Sequence, residues 1–459
     1  MIIDHLAKPF NDWVLARRGW DYQGPLAELE RLQWEPTAVV EEWRVERLRK
    51  LLSHCESNVP FYRDAIREAG IDVGQVSTPA DLAGLPIVDK MTLRADYTRF
   101  FAEQGGGGYE DWVTSGATGQ PFAFRLDKAS IGANTFAGLA RGRRWWDADY
   151  GGREAMIWSG VRDVSSTLQG AFAARRRQLS WRLKNIQLFD IYNLDEDAVR
   201  KIYSTLSKFR PPVMRVISSG LYQFCSVLDA LGLDGEALGV RVAIYTGEAF
   251  PPAQRAFVER VLGCKTVCEY GCGELGIIAF ECPEGGLHLS HENMFFEYER
   301  DGRPAKAGET AELLITNLNG YVAPLVRYAV GDVVVPSDAT CACGRTMPLI
   351  ESVGGRSHDV IRTPSGSQIH ALFFTHLFDE LPVVHQFRIV QRSLDELHVE
   401  LVSTDSIPDD AKSFIRTSIE KEMGAPSVTV VVEQISEIER NRGGKAAWIV
   451  SEIPPGDEA

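Results

Sequence analysis

Between Ser130 and Leu287 the chain repeats one arrangement: short apolar runs, Ala155-Met156-Ile157-Trp158, Val213 to Ile217 and Val240 to Tyr245, alternate with amphipathic stretches of helical length. Apolar runs this short are strands, and helix-period text between them supplies crossover connections. The region is therefore expected to be α/β, built on a sheet with parallel strands. Around it the text changes. Glu28 to Gly70 reads as a helical preamble, with Trp43, Leu48, Leu51 and Leu52 mostly three to five residues apart, and Pro79, Asp81 and Pro86 read as a helix cap and stop. Tyr109 to Arg125 reads as strand, Gly/Ser/Thr cluster, strand. Phe295 to Val335 is strand-rich, and beyond Gly354-Gly355-Arg356 come two further strand pairs and helices. A boundary near Arg356 to Asp359 divides a large N-terminal domain of mixed sheets and helices, 1–356, from a small C-terminal domain of strands and helices, 357–459.

Composition limits the function classes. The 459 residues, 44% hydrophobic and 24% charged, can bury a large core. The 63 Asp and Glu outnumber 49 Lys and Arg, so the net charge of -14 disfavours nucleic acid and anionic lipid as partners, and any phosphate must be held locally. No apolar run approaches the roughly 18 residues of a membrane span, and the first twenty residues lack a signal-peptide pattern. Eight unevenly spaced cysteines do not form a secreted disulfide framework, which leaves a reducing cytoplasm as the expected location.

Three windows can carry chemistry. Val113-Thr114-Ser115-Gly116-Ala117-Thr118-Gly119-Gln120-Pro121 places three hydroxyls and two glycines between strands, so its O–H and backbone N–H groups can converge on an oxyanion. It lacks the Gly-Lys-Ser/Thr ending of a P-loop, and a polar hairpin turn explains it equally well. In Glu269-Tyr270-Gly271-Cys272-Gly273-Glu274 a flat ring can stack on a base and a carboxylate can hold a hard cation, although a strand ending in a glycine turn would look the same. The window from Pro324 to Asp332 delivers a carboxylate after Gly331, able to accept from two ribose hydroxyls or to serve as a turn residue.

The order of these windows, followed by Gly355-Arg356-Ser357-His358-Asp359 and Gly443-Gly444-Lys445, resembles the adenylate-forming acid ligases, specifically the phenylacetate-coenzyme A ligase family and its capsular polysaccharide biosynthesis branch. The likeness spans nearly the whole chain, including Leu51-Leu52-Ser53-His54, Val59-Pro60-Phe61-Tyr62-Arg63 and Phe209-Arg210-Pro211-Pro212. It implies the adenylate-forming enzyme fold, an α/β architecture with a large multi-layer N-terminal domain and a small mobile α+β C-terminal domain, and an AMP-forming acid-thiol ligase. It also implies that Thr114, Ser115, Gly116, Thr118 and Gly119 cradle the ATP phosphates, Tyr270 in Tyr270-Gly271 stacks on adenine, Glu274 holds Mg²⁺ and Asp332 binds the ribose. Thr246-Gly247-Glu248 borders the nucleotide, Arg356 contacts it, His358 occupies the hinge, and Lys445 bridges the carboxylate and the α-phosphate. Two departures stand out. Ala117 removes one hydroxyl from the phosphate loop but leaves its backbone donors, and His358 replaces the usual Asp or Lys of the hinge.

Cys282, His288, Cys341 and Cys343 form a separate group, three thiolates and an imidazole able to close a tetrahedral structural zinc shell; several members of the resembled family carry this pattern. Four unrelated residues are the alternative. Cys264, Cys268 and Cys272 read as core residues, His291 and His370 as ordinary polar ones, and Arg175 to Arg177 with Arg182 and Lys184 as a solvated helix face or a contact for coenzyme A phosphates.

The resulting expectation is a two-step reaction. A carboxylic acid, ionised at pH 7, attacks ATP to give an acyl-adenylate and pyrophosphate, and a thiol, coenzyme A by expectation, then displaces AMP. Transfer to an amine without coenzyme A is the alternative. A nucleotide-binding protein without catalysis is disfavoured by the joint presence of Thr118, Glu274, Asp332 and Lys445. The expected partners are the small-molecule acid and acyl acceptor, and a homodimer is compatible. Ser218, Ser219, Gly220, Tyr245 and Gly273 are placed near the acyl group by the resemblance.

Overall fold

A computed structural model describes residues 2–114, 122–158, 179–356, 360–365, 367–370, 373–374, 377–378, 381, 383–403, 406–424, 428–438 and 447–453. The preamble is helical. Helix α1 spans Ile2–Arg18, α2 Gln23–Leu32, α3 Thr37–Asn58 and α4 Pro60–Ala69. In α3 the buried residues Val40, Arg44, Leu48, Leu51, Leu52 and Cys55 recur at helical spacing and make one inward stripe. Trp43 sits beside that stripe under the guanidinium of Arg47, 4.4 Å from its ring centroid. Helix α4 starts on Pro60, whose missing N–H is no loss at a first turn, and stops at Gly70 in the left-handed region. The expected cap at Pro79 is present: the Asp81 carboxylate accepts from the backbone N–H groups of Ser77 and Thr78, 2.8 Å each.

A short helix α5, Lys90–Ala95, precedes the hairpin of β1, Tyr109–Thr114, and β2, Phe122–Asp127. Helix α6 then runs over 128–144, π-helical from Ile131 to Ala137. Gly142 lets it lie directly on Phe280, because a Cβ there would fall 2.4 Å from the ring.

The α/β region follows in order: β3 Glu154–Trp158, β4 Ile186–Asp190, α7 Glu196–Phe209, β5 Val213–Ile217, α8 Ser218–Ala230, β6 Val242–Thr246, α9 Pro252–Leu262 and β7 Lys265–Cys272. These five strands pair in parallel, as the short apolar runs predict. From β8, Gly276–Glu281, the pairing turns antiparallel through β9 Leu287–Leu289, β10 Met294–Arg300, β11 Arg303–Pro304, β12 Ala311–Asn317, β13 Tyr328–Ser337 and β14 Leu349–Arg356. Among the described residues all twelve belong to one sheet, ordered β11-β10-β12-β13-β14-β9-β8-β7-β6-β5-β3-β4.

That sheet cannot be flat. Strands β7 and β13 are four ladder steps apart, roughly 19 Å at about 4.8 Å per step, yet Tyr270 and Asp332 on them share a 2.9 Å hydrogen bond. The sheet therefore folds back across the short strand β9. Helices α2, α3 and α4 share one apolar cluster with β10, β12 and β13, and α7, α8 and α9 pack on one face of the parallel half.

The remaining elements are β15 Val360–Arg362, β16 Gln368–His370, β17 Gln386–Ser393, β18 Glu396–Val402, α10 Asp409–Met423, β19 Thr429–Gln434 and β20 Ile449–Ser451. Their hydrophobic cluster, from Ile361 to Ile449, is separate from the others, and β19-β18-β17-β20 form their own sheet. No helix among the described residues is long and apolar enough to cross a membrane.

Charges are buried where layers meet. Arg141 on α6 donates to Glu292, 2.5 Å, and Arg143 to Glu154, 2.6 Å, each partner under a tenth exposed. Burial pushes the Glu292 carboxyl up, but Arg141 and the neighbouring His291 outweigh it and hold it down to about 2. A depressed carboxyl contributes stability above its unfolded value that is lost as pH falls through the folded one, so this contribution fades from about pH 4.5 toward 2. Arg141→Met leaves Glu292 buried and uncompensated and is expected to cost about 3–5 kcal/mol in denaturant unfolding. A loss below 1 kcal/mol would show that the pair contributes little.

Candidate functional site

The β7–β8 hairpin carries two of the expected residues. Its close approach requires glycine: a Cβ on Gly271 would lie 2.3 Å from the Gly276 carbonyl oxygen, and Gly276 itself is left-handed. Glu274 sits in the intervening turn, only 3% exposed. One strand position before the glycine, Tyr270 points toward β13 and its hydroxyl donates to Asp332 Oδ2 at 2.9 Å. Asp332 follows left-handed Gly331 at a break in register and pairs across the ladder with Arg356, beside left-handed Gly355. The expected adenine platform and ribose carboxylate are thus brought into direct contact.

A third segment joins from the parallel half. Gly247 is left-handed, and the turn after β6 is tied to the start of α8. There Ser218 Oγ donates to the Glu248 carbonyl oxygen, and the Ser219 N–H donates to Glu248 Oε2, both 2.9 Å. The site therefore lies at the carboxyl end of parallel strands, where α/β sheets bind ligands.

Lys90 is absent from the sequence expectations. Its Nζ lies 2.9 Å from Glu274 Oε1, an ion pair that is not an aligned hydrogen bond. The placement has a local cause: Val88 bridges to the start of β13 through hydrogen bonds of 3.1 and 2.8 Å to Arg327 and Ala329, and Asp89 caps α5 by accepting from the Thr92 N–H. The capping pattern Asp89 to Thr92 was the only sequence signal that this lysine heads a helix. Its reach to Glu274 depends on the Val88 bridge, which no local pattern marks.

Ser115, Gly116, Ala117, Thr118, Gly119, Arg175 to Arg177, His358, Gly443, Gly444 and Lys445, together with the side chains of Thr114, Arg356 and His370, lie outside the described residues. Cys264, Cys268 and Cys272 pack against the apolar clusters as expected of core residues. His291 is buried against Glu292.

Away from this cleft, Cys282, His288, Cys341 and Cys343 converge. Their ligand atoms all lie within 4.8 Å of one another, with Cys282 and Cys341 sulfurs 3.5 Å apart and Cys343 Sγ 3.2 Å from His288 Nε2. Three more features fit a tetrahedral ion. His288 Nδ1 faces the Met347 carbonyl oxygen at 3.2 Å, an orientation that turns Nε2 to the sulfurs. Burial lowers His288 to about 4, so the ring is neutral. A Cβ at Gly286 would stand 2.7 Å from Cys341 Sγ.

Residues 361–452 match the family model of the CapK C-terminal domain. The chain is 26% identical over 390 residues to the phenylacetate-coenzyme A ligase of Thermus thermophilus, covering 82% of this chain and 83% of that one. It is 20% identical over 421 residues to protein CapK of Staphylococcus aureus, covering 90% and 89%. Among solved structures, 2-hydroxyisobutyryl-CoA ligase in its postadenylation state superposes with a TM-score of 0.71 at 19% identity and 92% coverage of each chain, which establishes a shared fold.

The Lys90 and Glu274 charges should be energetically coupled. A double-mutant cycle with Lys90→Met and Glu274→Gln is expected to give an interaction of about 0.5–3 kcal/mol in unfolding. Additive single effects would break the pair as an energetic unit.

Proposed function

Because the chain belongs to the phenylacetate-coenzyme A ligase-like family, with a CapK-like C-terminal domain, we propose that it activates a carboxylic acid with ATP and passes the acyl group to a thiol, coenzyme A in the first instance. The observation that carries the reading is the 2.9 Å contact that brings Asp332 of β13 to Tyr270 in the hairpin that also holds the buried Glu274.

In the first step a carboxylate oxygen attacks the α-phosphorus, the bond to the bridging oxygen breaks, and pyrophosphate leaves. No general base is needed, because the acid is already ionised at neutral pH. The protein's contribution is positioning and charge. Tyr270 offers its ring to the base, and Asp332 exchanges its bond from the Tyr270 hydroxyl for ribose hydroxyls. Thr114, Ser115, Gly116, Thr118 and Gly119 hold the outer phosphates, and Lys445 faces the α-phosphate. Glu274 would hold the divalent cation, whose charge favours departure of pyrophosphate, and Lys90, released from the carboxylate, would then face phosphate oxygens. In the second step the thiol attacks the acyl carbon and AMP departs with the former carboxylate oxygen. Rotation of 357–459 about His358 would exchange Lys445 for the surface that admits the thiol. The Cys282, His288, Cys341, Cys343 set would hold a structural zinc ion.

Lys445→Ala is expected to lower acid-dependent pyrophosphate exchange about 10²–10³-fold while sparing transfer from a preformed acyl-adenylate. Equal loss in both assays would remove that role. The purified protein is expected to carry about one zinc per chain, and chelation to lower its melting temperature. Metal analysis without zinc would contradict this. Supplying coenzyme A or amines to the formed adenylate separates the two acceptors: the thioester is the expected product, and an amide alone would assign the amine.

A further inference from the structure

Arg215 stands where an apolar residue would be ordinary. Ladder register aligns Met156, Arg215, Ile244 and Val267 in one row across β3, β5, β6 and β7, and the other three are buried apolar residues. By the two-residue period of strands, the next row toward the carboxyl ends on this face holds Trp158, Ile217, Thr246 and Glu269. Arg215 reaches forward to that row. Its Nε donates to Glu269 Oε2 at 2.9 Å and its Nη2 to Glu269 Oε1, a two-pronged pair. The guanidinium lies 4.9 Å from the Trp158 ring centroid.

The two halves of the pair differ in access. Glu269 is 2% exposed, whereas the Arg215 side chain keeps 19% of its surface, and its Nη1 donates to none of the described residues. A buried ion pair gains little stability over apolar residues of the same volume, so stability alone does not account for it. Its position does. Glu269 immediately precedes Tyr270 on β7, its side chain on the opposite face by the same two-residue period, and Thr246 ends β6 at the turn held by Ser218 and Ser219, so Arg215 reaches the carboxyl edge of the sheet along which the residues assigned above lie. Nearby charges balance: Arg215 with Glu269, and Arg143 with Glu154. A second anionic group would upset that balance, while a neutral oxygen would accept from Nη1 without doing so.

Resting on the adenylation reading, we propose that Arg215, fixed by Glu269, selects an acid bearing a neutral hydrogen-bond acceptor, a hydroxyl or carbonyl oxygen, over the plain hydrocarbon or aryl acid. The test measures acid-dependent AMP release with matched pairs: phenylacetate against its ring-hydroxylated forms, and a branched aliphatic acid against its 2-hydroxy and 2-oxo forms. In at least one pair the oxygenated member is expected to show kcat/KM at least about tenfold higher. Replacing both charges, R215M with E269L, is expected to bring that ratio to within about twofold, with thermal unfolding as the check on folding. R215K keeps the charge but loses the fork, and is expected to reduce the ratio with the fold intact. Hydrocarbon members turned over equally well, or a ratio unchanged in these variants, would overturn the proposal while leaving adenylation standing. Absence of AMP release with every acid would overturn the adenylation reading itself.

Discussion

The fold-back of the long sheet is the constraint on which the site depends. Tyr270 and Asp332 lie on strands four ladder steps apart, and only a sheet that doubles over at the three-residue strand β9 lets one hydroxyl reach the other carboxylate. The packing maintains this shape: α2 to α4 bring Leu29, Leu48 and Leu51 under β10, β12 and β13, and α6 lies against β8 where Gly142 admits the Phe280 ring. The helical preamble therefore shares its core with the strands that carry the site.

Charge placement follows from the same geometry. Arginine and glutamate are buried together where α6 packs on its neighbours, Arg141 with Glu292 and Arg143 with Glu154, and within the sheet itself, Arg215 with Glu269. Such pairs are weak sources of stability but costly to break on one side, so they fix which layers can meet. At the cleft the balance differs. Glu274 is buried, but its partner Lys90 is one third exposed, so the two ends of this pair differ in their access to solvent. Elsewhere, the loop that holds Cys341 and Cys343 meets Cys282 and His288 beside β8 and β9.

Much of this was legible in the sequence where local rules decide structure. Short apolar runs marked the parallel strands, Gly70 marked the end of the helical preamble, and the glycines after Tyr270 marked a turn, which in the structure is a hairpin whose backbones nearly touch. That Tyr270 and Asp332 serve one nucleotide was expected through resemblance, but their direct hydrogen bond was not, since nothing in either window alone indicates that they meet. Lys90 was missed because its role arises from the Val88 bridge to β13, a contact between residues far apart in the chain. Arg215 was missed for a related reason: inside an apolar run a single charge reads as an exception, and its meaning comes from Glu269 two strands away.

The central claim is that this cleft makes the α-phosphorus of ATP accessible to a carboxylate oxygen. Following the label from an ¹⁸O-enriched acid tests it directly. After one complete turnover with thiol or amine acceptor, AMP is predicted to carry one labelled oxygen, because the carboxylate oxygen that formed the mixed anhydride leaves with the nucleotide. Formation of ADP with the label in inorganic phosphate would place the attack at the γ-phosphorus and contradict the account.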